Sequence, residues 1–161
     1  MKHINGDIIE LAKSGVFDVI AHGCNCQGNM GKGLAKQIKE QFPKVGKIDQ
    51  KGEYPGTIYA VTYPNGLTIV NAYTQIYYGK ANDQYKSLSV INNFACDVVD
   101  SQKNRYEFIR HCLRAINTFF AGKKLGLPLI GSGLAGGDWK LIEVIITQEL
   151  FNCDTTIVHY K

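Results

Sequence analysis

The chain has 161 residues, 45% of them hydrophobic and 20% charged, with a formal net charge of +4 at pH 7. That length and apolar content suit one buried core and predict a single domain over residues 1–161. The positive charge is mild and spread without a dense basic run, which fits a small anionic ligand better than a nucleic-acid surface.

No apolar stretch is long enough for a signal peptide or a membrane span, so the expectation is a cytoplasmic protein with no membrane partner. The five cysteines (Cys24, Cys26, Cys96, Cys112, Cys153) are odd in number and scattered, which argues against a disulfide framework. Cys24 and Cys26 beside His22 suggest metal ligands, but their spacing is tight and a second pair is absent, so no metal is expected.

Phe17 to Ala21 (F-D-V-I-A) is nearly continuous apolar sequence, the pattern of a strand covered on both faces. A glycine-rich segment, "HGCNCQGNMGKGLA" from His22 to Ala35, follows it. Leu34, Ile38 and Phe42 then recur at intervals of four, with Lys36, Lys39 and Glu40 between them and Pro43 after them, which predicts an amphipathic helix of about three turns. Thr57–Tyr63 and Leu67–Tyr73 are β-branched and aromatic runs joined through Pro64-Asn65-Gly66, a hairpin signal. Between Gln75 and Lys103 the pattern is weak: Leu88, Val90, Ile91 and Phe94 suit a short helix, and Tyr77 to Asp83 a loop.

Phe108, Ile109, Cys112, Leu113, Ile116, Phe119 and Phe120 share one stripe of a helix from about Arg105 to Ala121, with Gly122 as its terminator. Lys124 to Ile130 reads as a strand, Gly131 to Gly137 as a second glycine loop, and Trp139 to Phe151 as a helix with Leu141, Ile142, Ile145, Ile146 and Leu150 inward. Thr155 to Tyr160 reads as a last strand. Alternating strands and helices predict an α/β fold, a three-layer α/β/α sandwich, and the hairpin makes its central sheet mixed.

Both glycine clusters stand after a strand and before a helix, the carboxyl edge of an α/β sheet where ligands bind. Exposed N–H groups and two helix N-termini there suit an anion, phosphate above all. G-x-x-x-x-G-K-[ST] is absent, and G-x-G-x-x-G does not occur with an acidic residue twenty positions on. The glycines taken singly can equally serve tight turns.

"NGDI" at Asn5–Ile8, "AHGCNCQGNMGKGLA" at Ala21–Ala35, "NAYTQ" at Asn71–Gln75 and "LIGSGLAGGDW" at Leu129–Trp139 together resemble the macrodomain family, in its ADP-ribose-1″-phosphate phosphatase branch. The resemblance spans nearly the whole chain, with residues 76–104 the poorest match. It implies a macrodomain-like fold and a metal-independent phosphatase that removes the 1″-phosphate from ADP-ribose-1″-phosphate. Within the same family a non-catalytic ADP-ribose reader, or a hydrolase that releases ADP-ribosyl groups from protein or nucleic acid, stands as the alternative.

The resemblance further implies ADP-ribose or its 1″-phosphate as ligand, no cofactor, nucleic acid only as an ADP-ribosylated substrate, and a monomer. Asp7 would receive the adenine amino group, with Ile8 beside it and Tyr160 near the ring. Cys24, Asn25 and the run Gly31, Lys32, Gly33 and Leu34 would wrap the distal ribose and its phosphate. Ser132, Gly133, Leu134, Ala135 and Gly136 would hold the diphosphate. In the branch that releases ADP-ribosyl groups, a lysine is expected where this chain has Gln75, and an aspartate where it has Ala135.

Phosphate removal needs charge stabilisation and a proton for the leaving oxygen. His22, Asn25 and Asp138 are the catalytic candidates. His22 serves as general acid or nucleophile, or is a neutral imidazole bonded to a backbone carbonyl. Asp138 handles a proton, or only caps the following helix. Asn25 orients ribose hydroxyls or water, or is a turn residue.

Overall fold

The computed structural model describes residues 1–46, 54–91 and 94–161. In chain order the elements are β1 (Lys2–Asn5), α1 (Ile8–Lys13), β2 (Val19–Asn25), α2 (Gly33–Gln41), α3 (Pro43–Gly46), β3 (Ile58–Thr62) and β4 (Thr68–Gln75). There follow β5 (Asn82–Ile91), β6 (Phe94–Asp100), α4 (Gln102–Phe119), β7 (Lys124–Leu127), α5 (Trp139–Glu149) and β8 (Asp154–His159). Six strands form one sheet in the order β1-β8-β7-β2-β4-β3, parallel except for the edge strand β3. The sheet is therefore mixed and carries helices on both faces, the three-layer α/β/α arrangement expected.

Strand alternation divides the core in two. Val19 and Ala21 of β2, Val70 and Ala72 of β4 and Ile157 of β8 pack with Ile109, Cys112, Leu113 and Ile116 of α4 and Ile142, Ile145 and Ile146 of α5. Ile20, Ile69 and Val158, the intervening residues, pack on the other face with Ile8, Ile9 and Ala12 of α1, Ile38 of α2 and Val45 of α3. A full burial of each aliphatic side chain contributes about 1.5–3 kcal/mol, so the two faces together supply most of the driving force.

The expected hairpin is β3–β4, with Ile58 opposite Ala72 and Thr62 opposite Thr68. Gly66 takes φ +87° in its turn, and Asn65 Oδ1 accepts the Leu67 N–H at 3.1 Å.

Several expectations are corrected. Leu88, Val90, Ile91 and Phe94 lie on an antiparallel pair, β5 and β6, and not on a helix. Leu88 and Val90 alternate with Ser87 and Ser89, and this period of two is the pattern of a strand. β2 continues past Ala21 to Asn25, so His22 to Asn25 belong to a strand and the loop begins at Cys26. β7 stops at Leu127, because Pro128 cannot donate to the ladder.

Leu141 and Phe119, expected inward, are 44% and 74% exposed. The buried stripe of α5 runs through Ile142, Ile145, Ile146 and Glu149, and Phe119 is the last residue of α4. β1, α1 and α3 are additional elements of four to six residues, too short for a periodic signal.

Candidate active site

The site lies at the carboxyl ends of β2, β4 and β7. β2 breaks register against β4 between Cys24 and Asn25, and Asn25 then closes the first loop with its own amide. Its Nδ2 donates to Asn29 O at 2.9 Å, and its Oδ1 accepts the Asn29 N–H at 3.0 Å. Asn29 in turn accepts the Gly31 N–H through Oδ1 at 3.1 Å.

The loop then enters α2 at Gly33, which takes φ +58°. Its N-cap, Lys32, makes no side-chain capping bond, whereas α1, α4 and α5 are capped by Asp7, Ser101 and Asp138. The first N–H groups of α2, on Gly33, Leu34 and Ala35, have no acceptor among the described residues and stand at the positive end of the helix dipole.

The second loop follows β7. Its inner hydrogen bonds use the Ser132 N–H (to Leu129 O, 3.3 Å), the Gly136 N–H (to Gly133 O, 3.0 Å) and the Gly137 N–H (to Gly131 O, 2.9 Å). A side chain at Gly137 would place Cβ 2.6 Å from Gly131 O, a backbone atom that cannot move aside, so the turn requires glycine there. The N–H groups of Gly133, Leu134 and Ala135 have no acceptor among the described residues.

These two sets of bare amides line one cavity of about 680 Å³. It adjoins a recess of about 290 Å³ lined by Asp7, Ile8, Gln37, Val158 and Tyr160, and the two share Gly33, Leu34 and Pro128. Of the expected ligand residues, Cys24, Asn25, Gly31–Leu34 and Gly133–Ala135 line the larger cavity. Asp7, Ile8 and Tyr160 line the recess, while Ser132 and Gly136 line neither. Asp7 caps α1 through Oδ1, at 2.8 Å from the Ile9 N–H and 3.3 Å from the Glu10 N–H. Its Oδ2 has no partner among the described residues and remains for a ligand donor.

His22 lines the cavity from β2 and is 2% exposed. Its Nε2 lies 2.7 Å from Asn71 Oδ1, and Asn71 Nδ2 donates to Val45 O at 3.2 Å. The Val45 carbonyl orients the Asn71 amide, so Oδ1 faces the imidazole and the His22 proton resides on Nε2. Nδ1 is left as an acceptor. Burial lowers the pKa to about 4, only partly opposed by the Asn71 bond, so the ring is neutral at pH 7.

The partner is a side-chain amide, where the alternative to a catalytic His22 had a backbone carbonyl. Cys24 Sγ lies 3.6 Å from Nε2 and 3.8 Å from Nδ1, and burial holds its thiol far above the usual range, protonated and unreactive. Among the described residues no group of three or more His, Cys, Asp or Glu is placed to hold a metal ion.

Asp138 is not brought to this cavity. It is exposed, its Oδ1 accepts the Lys140 N–H at 2.9 Å, and its own N–H is bonded to Tyr106 Oη at 3.0 Å. Asp138→Ala is expected to lose about 1 kcal/mol of stability through the cap, and Asp138→Asn almost none. Denaturant melts of the two variants check this; an equal loss in both would show that charge, and not capping, is what matters.

Two further groups escaped sequence reasoning. Arg105, 2% exposed on α4, uses its whole guanidinium fork. Nε and Nη2 bond Asp100 at 2.9 and 2.6 Å, Nη2 also donates to Tyr77 O, and Nη1 donates to Gly79 O and Ala135 O. Asp100 additionally accepts the Ile76 and Tyr77 N–H groups, both at 3.1 Å. One ion pair therefore holds two loops that flank the cavity. The signal in the sequence was an arginine in phase with the stripe of Ile109, Cys112 and Ile116. The second is Thr74, near the end of β4 on the cavity lining.

No family model matches the sequence. Over its full length the chain is 28% identical to an uncharacterized 17.5 kDa protein of Enterobacteria phage T4, covering 97% of it. Over 99% of its length it is 25% identical to the ADP-ribose 1''-phosphate phosphatase of Saccharomyces cerevisiae, covering 97% of that protein. Among solved structures, the macrodomain of Mycobacterium tuberculosis DarG superposes with a TM-score of 0.70 at 19% identity, over 98% of this chain and 95% of that one. DarTG of Thermosipho africanus in complex with ADP-ribose superposes with a TM-score of 0.68 at 20% identity, over 99% of this chain and 41% of that one.

Proposed function

We propose that this chain is a macrodomain that binds ADP-ribose across the two joined cavities and removes the phosphate from ADP-ribose-1″-phosphate. The observation that carries the reading is the pair of bare amide sets. Gly33–Ala35 and Gly133–Ala135 line one cavity together, a donor array suited to the oxygens of a diphosphate. Adenine fits the smaller recess, with Asp7 Oδ2 as acceptor for its amino group and Ile8 and Tyr160 as apolar contact. The phosphatase reading is further supported by the name of the yeast relative.

Hydrolysis transfers the phosphoryl group from the 1″-oxygen to water and leaves ADP-ribose and inorganic phosphate. Backbone amides stabilise the charge that spreads over the transferring oxygens. His22 is neutral and donates its Nε2–H to Asn71, so in this reading it takes the proton of the attacking water through Nδ1, and the leaving 1″-oxygen is protonated from solvent. Asn25, its amide engaged with Asn29, keeps the loop in shape around the distal ribose.

The test is release of phosphate from ADP-ribose-1″-phosphate by purified protein in excess chelator, alongside calorimetry with ADP-ribose. Release is expected from the wild type and lost in His22→Gln, with ADP-ribose binding retained in both. A second reading, a reader that binds ADP-ribose without turnover, is favoured by the engaged His22 proton and by the position of Asp138 outside the cavity. It predicts binding with no release at any enzyme concentration. Failure to bind ADP-ribose overturns both.

A further inference from the structure

Thr74, near the end of β4, is 2% exposed and lines the larger cavity, yet its Oγ1 has no hydrogen-bond partner among the described residues. A buried hydroxyl without a partner is unfavourable, and such groups in a native fold call for an explanation. A second observation lies across from it on β2. A Cβ at Gly23 would stand 2.9 Å from Thr74 Oγ1 and 3.4 Å from Ile130 Cγ1. Any side chain at position 23 would therefore fill the space in front of the hydroxyl. The absence of one leaves a niche walled by Thr74, Gly23 and Ile130, opening into the cavity.

Resting on the function proposed above, we infer that Thr74 is a specificity-determining residue whose hydroxyl bonds an oxygen of the ligand's distal ribosyl end. With adenine in the recess beside Asp7 and the diphosphate on the amides, that end is what remains to reach the floor formed by β2 and β4. The bonded atom is a ribose hydroxyl or an oxygen of the 1″-phosphate, and both present the same oxygen chemistry to Oγ1.

The experiment is calorimetry of wild type, Thr74→Val, Thr74→Ser and Gly23→Ala against ADP, ADP-ribose and ADP-ribose-1″-phosphate. Thr74→Val keeps the shape and removes the hydroxyl. It is expected to weaken ADP-ribose and its phosphate by roughly three- to tenfold while leaving ADP unchanged. A loss confined to the phosphorylated ligand identifies a phosphate oxygen as the bonded atom; a loss on both identifies the ribose.

Thr74→Ser restores the affinity, and Gly23→Ala, which blocks the niche and keeps the hydroxyl, reproduces the loss. Because the hydroxyl is unpartnered in the free protein, Thr74→Val melts no lower than wild type, which a merely structural threonine would not allow. Unchanged affinity of Thr74→Val for every ligand, or an equal loss on ADP, overturns the inference. Absence of ADP-ribose binding by the wild type overturns instead the function on which it rests.

Discussion

Replacing Arg105 by methionine is expected to cost about 3–5 kcal/mol of stability, the cost of breaking a buried ion pair from one side. Methionine fills much of the volume but leaves Asp100, 0% exposed, as an uncompensated carboxylate held, among the described residues, only by the Ile76 and Tyr77 amides. It also releases the carbonyls of Tyr77, Gly79 and Ala135, which belong to the loops around the cavity.

A melting temperature lower by roughly 10 °C is the corresponding readout for a chain of this size. Ligand affinity measured well below that temperature should fall as well, since the amides of Gly133–Ala135 are presented by a loop that Arg105 anchors. Adding Asp100→Asn to the methionine variant removes the stranded charge and should recover part of the stability. A shift below about 2 °C in the single variant would mean that the pair is dispensable.

His22 governs the second large effect, through pH. Its unfolded pKa is near 6.5 and its folded pKa is about 4, because burial disfavours the charged ring. Between those values the unfolded chain binds more protons than the folded one. The stability associated with the neutral ring is therefore fully present above pH 6.5 and is lost as pH falls towards 4. The span corresponds to about 3 kcal/mol.

Urea unfolding of wild type and His22→Gln at a series of pH values between 4 and 7.5 isolates this contribution, because the other titrating groups are common to both. The difference between the two curves should shrink or reverse as pH falls. Parallel curves would show that the imidazole is already solvated in the native state.

The longer elements were legible because their apolar periods are intact. The stripe of α4 through Ile109, Cys112, Leu113 and Ile116 and the β3–β4 turn at Asn65-Gly66 are local patterns, and local patterns survive in any context. The two glycine loops were legible because both stand between a strand and a helix, a position that is itself a local pattern. The hairpin β5–β6 was misread because its apolar residues also suit a helical turn, and short elements are ambiguous to periodicity.

Within the site, local composition sets which segments carry glycine and where two helix N-termini meet the sheet edge. Which amides are free follows from the fold. Ser132 and Gly136 spend their N–H groups inside the loop, while Gly133, Leu134 and Ala135 do not, and no residue type announces that difference. Likewise the partner of His22 lies 49 positions away on β4, and Asp138, adjacent in sequence to the second loop, stands outside the cavity. The orphaned hydroxyl of Thr74 and the space left by Gly23 meet only through the pairing of β2 with β4. Local preferences depend on neighbours along the chain and can be read there; hydrogen-bond occupancy and burial depend on neighbours across it, and these exist only once the chain has folded.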